Sequence, residues 1–384
     1  MAKAADLLLC VSSFSFLVIF HTSLVVLVAV TNADDQVAPK PAAIFIFGDS
    51  TVDVGTNQWL NNSHSRADFF PNGVDFPYSV PTGRFSNGLN SADQIVRLFG
   101  YKRSPQPFLY SLNHQSTFKR DILQGVNFAS GGSGIFNQTG KKDYGEVVGL
   151  GDQVKQFATV RGNITELIGL GATEIMFSKS LFVISIGSND LFELVKWYPN
   201  ITSLAKDEYL ETLKLNYSNH LKDLYNLGAR KFGIISVPPI GCCPAARVGP
   251  KSNDSSVCVE ELNNLALTFL AKTEDLLQKL SSELKGLMYS LGNAYEMTMS
   301  ILEDPLAFGF KDTQSACCGS GKLNGVFPCF FLLGPNLCPN RREVLFWDLY
   351  HPTEYASELA ALTLYGGGTR YVTPINFSQL VAIK

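Results

Sequence analysis

The sequence contains only five histidines in 384 residues, so few side chains could serve as the base in a nucleophilic reaction. One of them, His351, follows Asp348 by three residues and precedes Pro352. A carboxylate this close in a turn can orient the imidazole, as an Asp does where a His activates a serine nucleophile. Pro352 suits the first position of a helix and restricts the backbone of His351. By itself the motif also fits a helix-entry turn with a local Asp–His hydrogen bond.

The other histidines lie in surroundings that are less suitable for a catalytic base. His64 and His114 lie in polar segments predicted as loops, and His220 lies on the polar face of a predicted helix. A serine is a weak nucleophile without a neighbouring base. If the protein uses a serine nucleophile, His351 is therefore the candidate for its base.

Apolar runs alternate with predicted helices along the chain, which is typical of parallel strands buried between two layers of helices. The strands are predicted at residues 43–47, 125–129, 181–186 and 232–237. The helices are predicted at residues 91–99, 152–170, 206–227, 260–284 and 353–364. No repeat or linker divides the chain. We therefore expect one α/β sandwich domain.

Three of the predicted strands end in small polar residues, at 49–50 (DS), 130–131 (SG) and 188–190 (SND). In an open parallel sheet, ligands bind beyond the carboxyl ends of the strands. These residues could therefore converge on one site. Gly, Ser, Asn and Asp are also common turn residues, so the strand ends alone do not decide between a site and ordinary turns.

The composition and the N-terminus indicate a globular, secreted protein. The 31 basic and 34 acidic side chains give a net charge of −3 without a basic run, which argues against a nucleic-acid partner. Residues 1–33 have the charged start, apolar core and small terminal residues of a signal peptide. We expect this leader to be cleaved, which leaves a single domain at residues 34–384. An uncleaved membrane anchor is the alternative.

Glycosylation motifs and cysteines agree with an oxidising compartment. The Asn-x-Ser/Thr motifs begin at Asn61, Asn137, Asn163, Asn200, Asn216, Asn253 and Asn376. Seven of the eight cysteines follow residue 240: Cys242, Cys243, Cys258, Cys317, Cys318, Cys329 and Cys338. Their spacing is not that of zinc ligands, so disulfides are expected, with one cysteine left unpaired.

Taken together, these motifs make the chain resemble the plant GDSL esterase/lipase family, a branch of the SGNH hydrolases. The similarity extends from about residue 43 to residue 361. Its blocks are residues 47–57 (FGDSTVDVGTN), 81–88 (PTGRFSNG), 125–132 (GVNFASGG), 187–190 (GSND) and 348–352 (DLYHP). Residues 228–231 (GARK), 238–242 (PPIGC) and 316–319 (ACCG) are similar to the plant branch in particular. The resemblance implies a flavodoxin-like, three-layer α/β/α sandwich.

The resemblance also implies a role for each matching site residue. Ser50 would be the nucleophile, His351 the base and Asp348 the acid that orients it. The N–H groups of Ser50 and Gly131, with the Asn189 side chain, would form the oxyanion hole. Asp49, Asp53 and Asn57 belong to the signature and would hold the Ser50 loop.

The resemblance implies a disulfide pattern as well. Cys242 would pair with Cys258. Cys317 and Cys318 would pair with Cys329 and Cys338 in an order left open. Cys243, which stands where the family usually has an aliphatic residue, would be the unpaired cysteine.

The expected function is that of a secreted serine esterase or lipase that hydrolyses carboxylic esters through an acyl-enzyme, with no metal or cofactor. An acyltransferase that uses the same residues with an alcohol acceptor is the alternative, and a glycosylated binding protein with an inactive site is a third reading. The expected partner is a small or polymeric ester. We expect a monomer in the extracellular space or cell wall, without stable membrane insertion after leader removal.

Overall fold

The computed structural model describes residues 40–330, 332 and 334–384. The predicted signal peptide lies outside these residues, so it stays a prediction. No helix in the described part of the chain is both long enough and apolar enough to cross a membrane.

Helices and strands alternate along most of the chain. The strands are β1 (Ile44–Gly48), β2 (Leu181–Ser185), β3 (Lys231–Ile235), β4 (Met288–Gly292), β5 (Asp312–Ala316), β6 (Cys318–Gly319), β7 (Asn336–Leu337), β8 (Val344–Phe346) and β9 (Val372–Thr373). The α-helices are α1 (Ser91–Leu98), α2 (Phe108–Asn113), α3 (Gln115–Asp121), α4 (Lys141–Tyr144), α5 (Leu150–Ile168), α6 (Leu170–Ser178), α7 (Ser188–Trp197), α8 (Ser203–Asn226), α9 (Pro244–Val248), α10 (Glu260–Glu283), α11 (Ala294–Glu303), α12 (Glu354–Gly366) and α13 (Phe377–Ala382).

The main sheet has the strand order β1-β2-β3-β4-β9, in which the first four strands are parallel and β9 is antiparallel. The predicted strand at residues 125–129 is reduced to one parallel bridge between Asn127 and Ile46 on the free edge of β1. The N–H of Ile46 donates to Val126, and the N–H of Phe128 donates to Ile46. The segment therefore takes the place of an edge strand while forming only two ladder bonds.

The side chains of β1 alternate between two hydrophobic layers, because successive residues of a strand point to opposite faces. Phe45 and Phe47 pack with residues of α5, α8 and α10 on one face. Ile44 and Ile46 pack with residues of α1, α12 and α13 on the other. Burial on both faces explains the uninterrupted apolar runs in the sequence.

Several boundaries differ from the predicted ones. The helix expected at residues 152–170 ends at Ile168, and α6 starts at Leu170 after Gly169, whose φ is +81°. β4 lies in a segment for which the sequence pattern predicted no strand. Pro352 is not the first residue of α12, because Thr353 caps that helix by accepting a hydrogen bond from the N–H of Ala356.

Residues 317–338, between β5 and β8, are cross-linked by two disulfides, and we call them the disulfide-linked segment. Cys317 pairs with Cys338 and Cys318 with Cys329, while Cys242 pairs with Cys258. Cys243 is unpaired and buried. The structure therefore settles the pairing order that the sequence left open, and the implied Cys242–Cys258 bridge and free Cys243 are present.

Candidate active site

Ser50 lies two residues beyond the last residue of β1, at the carboxyl edge of the sheet. All five residues of β1 are buried, so the strand anchors the turn that follows it in the core. Within that turn, the Asp49 carboxylate accepts hydrogen bonds from the N–H and the hydroxyl of Thr51, at 3.0 and 2.8 Å. Ser50 is 9% exposed and faces a cavity of about 990 Å³.

Asp348 and His351 lie in the turn between β8 and α12. The Nδ1 atom of His351 lies 2.8 and 2.9 Å from the two carboxylate oxygens of Asp348. The same carboxylate accepts hydrogen bonds from the N–H groups of Tyr350 and His351, at 2.9 and 2.8 Å. This geometry favours the tautomer with the proton on Nδ1, which leaves Nε2 as an acceptor.

Burial by itself would raise the pKa of Asp348. The neighbouring His351 and the hydrogen bonds from His351 and the N–H of Tyr350 outweigh that effect, so the pKa of Asp348 lies below its ordinary value. The carboxylate therefore stays ionised at neutral pH beside the imidazole.

The two parts of the site meet at the hydroxyl of Ser50. The Nε2 atom of His351 lies 2.7 Å from Ser50 Oγ, although the residues are 301 positions apart in the sequence. The ring of Phe85 packs against the imidazole, with 4.9 Å between the centroids, and limits its rotation. The structure thus brings Ser50, His351 and Asp348 into a continuous hydrogen-bonded chain with the geometry of a catalytic triad.

Asn189 lies in the first turn of α7, directly after β2, and its side chain lines the same cavity. Its Nδ2 atom donates one hydrogen bond to the carbonyl of Ser133, at 2.9 Å. An amide group carries two N–H bonds, so this contact orients the side chain and leaves a second donor for a ligand.

Gly131 is placed differently from the role that the resemblance implies. Its N–H donates to the carboxylate of Asp53, at 2.8 Å, and its carbonyl accepts from the side chain of Asn57, also at 2.8 Å. The next residue, Gly132, lines the cavity, and its N–H has no hydrogen-bond partner among the described residues. Gly132 has a φ of +81°, a conformation that suits glycine. In this structure the available N–H therefore belongs to Gly132.

Asp53 has more partners than the sequence indicated. Its other carboxylate oxygen accepts hydrogen bonds from the N–H groups of Gly55 and Thr56, at 2.8 and 2.7 Å. Burial raises the pKa of Asp53 to about 6 despite these three donors. Asp53 and Asn57 thus hold the loop of Gly131 and Gly132, in addition to the segment that follows Ser50.

The remaining histidines described by the structure lie apart from the catalytic hydrogen bonds. His64 is exposed at the cavity rim, and the exposed His114 stacks on Tyr110. The prediction for His220 is wrong in one respect: the ring is half-buried, with Nε2 3.3 Å from the carbonyl of Ile135. Among the described residues, no group of His, Cys, Asp or Glu is placed to hold a metal ion.

Phe85 and Gly132 are site residues to which the sequence alone assigned no role. Phe85 lies in the motif at residues 81–88 and Gly132 in the motif at residues 125–132, so the family resemblance pointed to both segments but not to the individual residues. The contacts of the individual residues depend on the packing between loops that are distant in sequence.

Comparison with known proteins is consistent with this geometry. The profile of the family described as GDSL-like Lipase/Acylhydrolase matches residues 44–364. The chain belongs to this family. It is similar to three Arabidopsis thaliana proteins: GDSL esterase/lipase At5g55050 (38% identity, covering 88% of this chain and 89% of the relative), GDSL esterase/lipase At4g16230 (35%, 96% and 99%) and GDSL esterase/lipase LTL1 (35%, 90% and 92%).

Membership in the GDSL family confirms the predicted fold class and the expectation of an ester hydrolase. The chain has the GDSL fold, a mostly parallel sheet with helices on both sides. It is a carboxylic ester hydrolase of the kind that its plant relatives are named for.

Proposed function

We propose that this protein is a secreted serine esterase in which Ser50 forms an acyl-enzyme. The observation that carries the proposal is the hydrogen-bonded chain from Ser50 Oγ through the His351 imidazole to Asp348. In the first step His351 Nε2 takes the proton of Ser50 as Oγ bonds to the acyl carbon. The carbonyl π electrons move to oxygen, which gives a tetrahedral oxyanion.

The oxyanion lies among three neutral donors in this proposal: the N–H of Ser50, the N–H of Gly132 and Nδ2 of Asn189. Each donor of this kind lowers the barrier by about 3–4 kcal/mol, because the charge appears only in the transition state. His351 then gives its proton to the departing alcohol, and the C–O bond to that alcohol breaks. Water attacks the acyl-enzyme with His351 again as base, which releases the acid and restores Ser50.

The Ser50→Ala protein tests the mechanism. We expect its hydrolysis of p-nitrophenyl butyrate to fall on the order of 10⁶-fold, because the nucleophilic oxygen is missing. A fluorophosphonate probe should label the wild type at Ser50 and leave the variant unlabelled. The matched control is Ser282→Ala, at an exposed serine on α10, which should keep the wild-type rate. Equal rates for the wild type and Ser50→Ala would refute the proposal.

Secretion is supported by the three disulfides and by the exposure of several glycosylation motifs. Asn61, Asn200 and Asn253 are exposed, whereas Asn376 is buried and caps α13 through its side chain. Peptide mass spectrometry of protein collected from the medium of a plant expression host should find a start near residue 34 and glycans on the exposed asparagines. Retention of the full leader inside cells, or the absence of glycans from every exposed motif, would contradict this part of the proposal.

A further inference from the structure

The cavity that contains Ser50 continues along the carboxyl edge of the sheet, from β1 towards β4. Its lining passes Ser185 at the end of β2 and Ser236 directly after β3, and reaches Ala294 directly after β4. Neighbouring strands lie about 4.8 Å apart, so the three steps from β1 to β4 span about 14 Å. We call this stretch, from Ser50 to the helices α11 and α12, the edge channel.

The walls of the edge channel are formed by one face of each of these two helices. The lining residues on α11 are Ala294, Met297, Thr298 and Ile301, and those on α12 include Ala356, Ala360, Thr363 and Leu364. Both sets recur at intervals of three and four residues, the spacing of a single helix face. Several of these side chains are small, so the helices leave space between them. A protein interior normally fills such space, and an apolar cavity that stays open next to a reactive group is typical of a ligand site.

The polar groups of the edge channel near the strands already have protein partners, while the hydroxyls of Thr298 and Ser357 on the two helices face the channel without one among the described residues. Ser185 Oγ lies 2.9 Å from the hydroxyl of Thr51, and Ser236 Oγ accepts from the N–H of Ala294 at 3.0 Å. The hydroxyl of Thr363 donates to the carbonyl of Leu359, at 2.9 Å. None of the described lining residues on α11 and α12 carries a charge. A polar ligand would therefore lose its hydrogen bonds to water there and gain few new ones, whereas an alkyl chain makes no hydrogen bonds that could be lost.

We propose that the edge channel binds an extended aliphatic chain of about ten carbons on the ester substrate, an inference that rests on the proposed function. A bond of about 1.5 Å at an angle near 111° advances an extended chain by about 1.25 Å per carbon, so about 14 Å holds about eleven carbons. The ester carbonyl lies at Ser50 and the chain end lies between α11 and α12. The substrate class is therefore that of long-chain esters, rather than acetyl esters of sugars or small phenols.

The first experiment measures kcat/KM of the wild type on two series of esters. The p-nitrophenyl esters from acetate to laurate lengthen the acyl side, and the alkyl acetates from ethyl to dodecyl lengthen the alcohol side. We expect a rise of about fourfold per added CH₂ over the shorter members of one series, and no further gain beyond about ten carbons. A rise in the first series places the acyl group in the channel, and a rise in the second places the alcohol there.

The second experiment narrows the channel by Ala360→Phe. This change should leave hydrolysis of p-nitrophenyl acetate within about twofold of the wild type. Hydrolysis of the ten-carbon ester should fall about a hundredfold, since three to four methylenes lose their place at about fourfold each. Leu362→Phe is the matched control, because Leu362 lies on the same helix but is 49% exposed and does not line the channel. Thr298→Leu narrows the channel from α11 and is the second variant if Ala360→Phe does not fold.

The outcomes separate this inference from the proposed function. Hydrolysis of acetate with a flat response to chain length in both series overturns the edge channel and leaves the serine esterase intact. Loss of long-chain activity in Leu362→Phe as large as in Ala360→Phe also overturns the assigned location. Absence of hydrolysis on every ester, together with absence of fluorophosphonate labelling, refutes the proposed function itself.

Discussion

The two halves of the catalytic site are supported in different ways. Ser50 follows β1, an edge strand of the main sheet with both of its faces buried. Asp348 and His351 follow β8, a strand of three residues that pairs with β5 in a separate two-stranded sheet. The nucleophile therefore follows a strand of the main sheet, while the acid–base pair follows a strand of a small second sheet, whose Leu345 and Phe346 still pack in the main hydrophobic core.

The acid–base turn depends on the disulfide-linked segment beside it. The fully buried Trp347 packs with Cys317, Cys318 and Cys329, and its carbonyl accepts from the N–H of Cys318 at 2.7 Å. The N–H of Trp347 donates to the carbonyl of His351, also at 2.7 Å. Cross-links limit the open conformations of a short segment that has little core of its own. The disulfides therefore help to hold the turn of His351 in place, whereas the turn of Ser50 is held by the main sheet.

The largest effect is expected for Asp348→Asn, which changes the acid–base pair. An Asn keeps the size of the side chain but favours the wrong tautomer of His351, so we expect kcat to fall about 10⁴-fold while the fold is retained. Hydrolysis of p-nitrophenyl butyrate and the far-UV circular dichroism spectrum measure these two quantities. Asp152→Asn, at an exposed carboxylate on α5, is the control and should be fully active. A loss below tenfold would show that Asp348 does not orient His351.

A smaller effect, on the free energy of unfolding, is expected when the Cys317–Cys338 bridge is removed by replacing both residues with Ser. A loop of this length contributes about 3 kcal/mol to the free energy of unfolding. The variant should lose its activity at a lower urea concentration than its far-UV circular dichroism signal, because the disulfide-linked segment opens locally before the rest of the domain unfolds. Coincident midpoints for activity and circular dichroism would show that the two supports unfold as one.

The smallest effect is expected for Asp53→Asn on the nucleophile side. Asn has one acceptor oxygen in place of two, so the peptide of Gly131 shifts and kcat falls about tenfold to a hundredfold. The KM for p-nitrophenyl butyrate should change little, since Asp53 does not line the cavity. A change in KM with unchanged kcat would be inconsistent with this positioning role.

The same variant has a predicted pH dependence. The pKa of Asp53 is raised from 3.8 in the unfolded chain to about 6 in the folded protein, so folding takes up a proton between these values. Its contribution to stability is present below about pH 4 and is lost as the pH rises through about 6. From pH 7 to pH 5 the wild type should therefore gain about 1 kcal/mol relative to Asp53→Asn, as measured by urea denaturation. An unchanged difference would show that Asp53 keeps an ordinary pKa.

Much of the fold was predictable from local patterns. The apolar runs that became β1, β2 and β3 are continuous because both faces of these strands are buried. The segment at residues 125–129 has the same pattern, but it forms a single bridge at the edge of the sheet. The strand β4 (MYSLG) was missed because its first two residues are only half-buried and its pattern is weak. Local periodicity reports burial, and it does not report how far a strand pairs with its neighbour.

For the site, the sequence by itself determined which residue types were available: small polar residues after three predicted strands, Ser50 among them, and one histidine with an aspartate three residues before it. These follow from chain-local spacing, which the sequence contains. Only the tertiary structure decided that Ser50 and His351 lie 2.7 Å apart, that Gly132 rather than Gly131 has the open N–H, and that the edge channel exists. These features depend on packing between segments that are distant in sequence, where displacements of about 1 Å decide which groups touch.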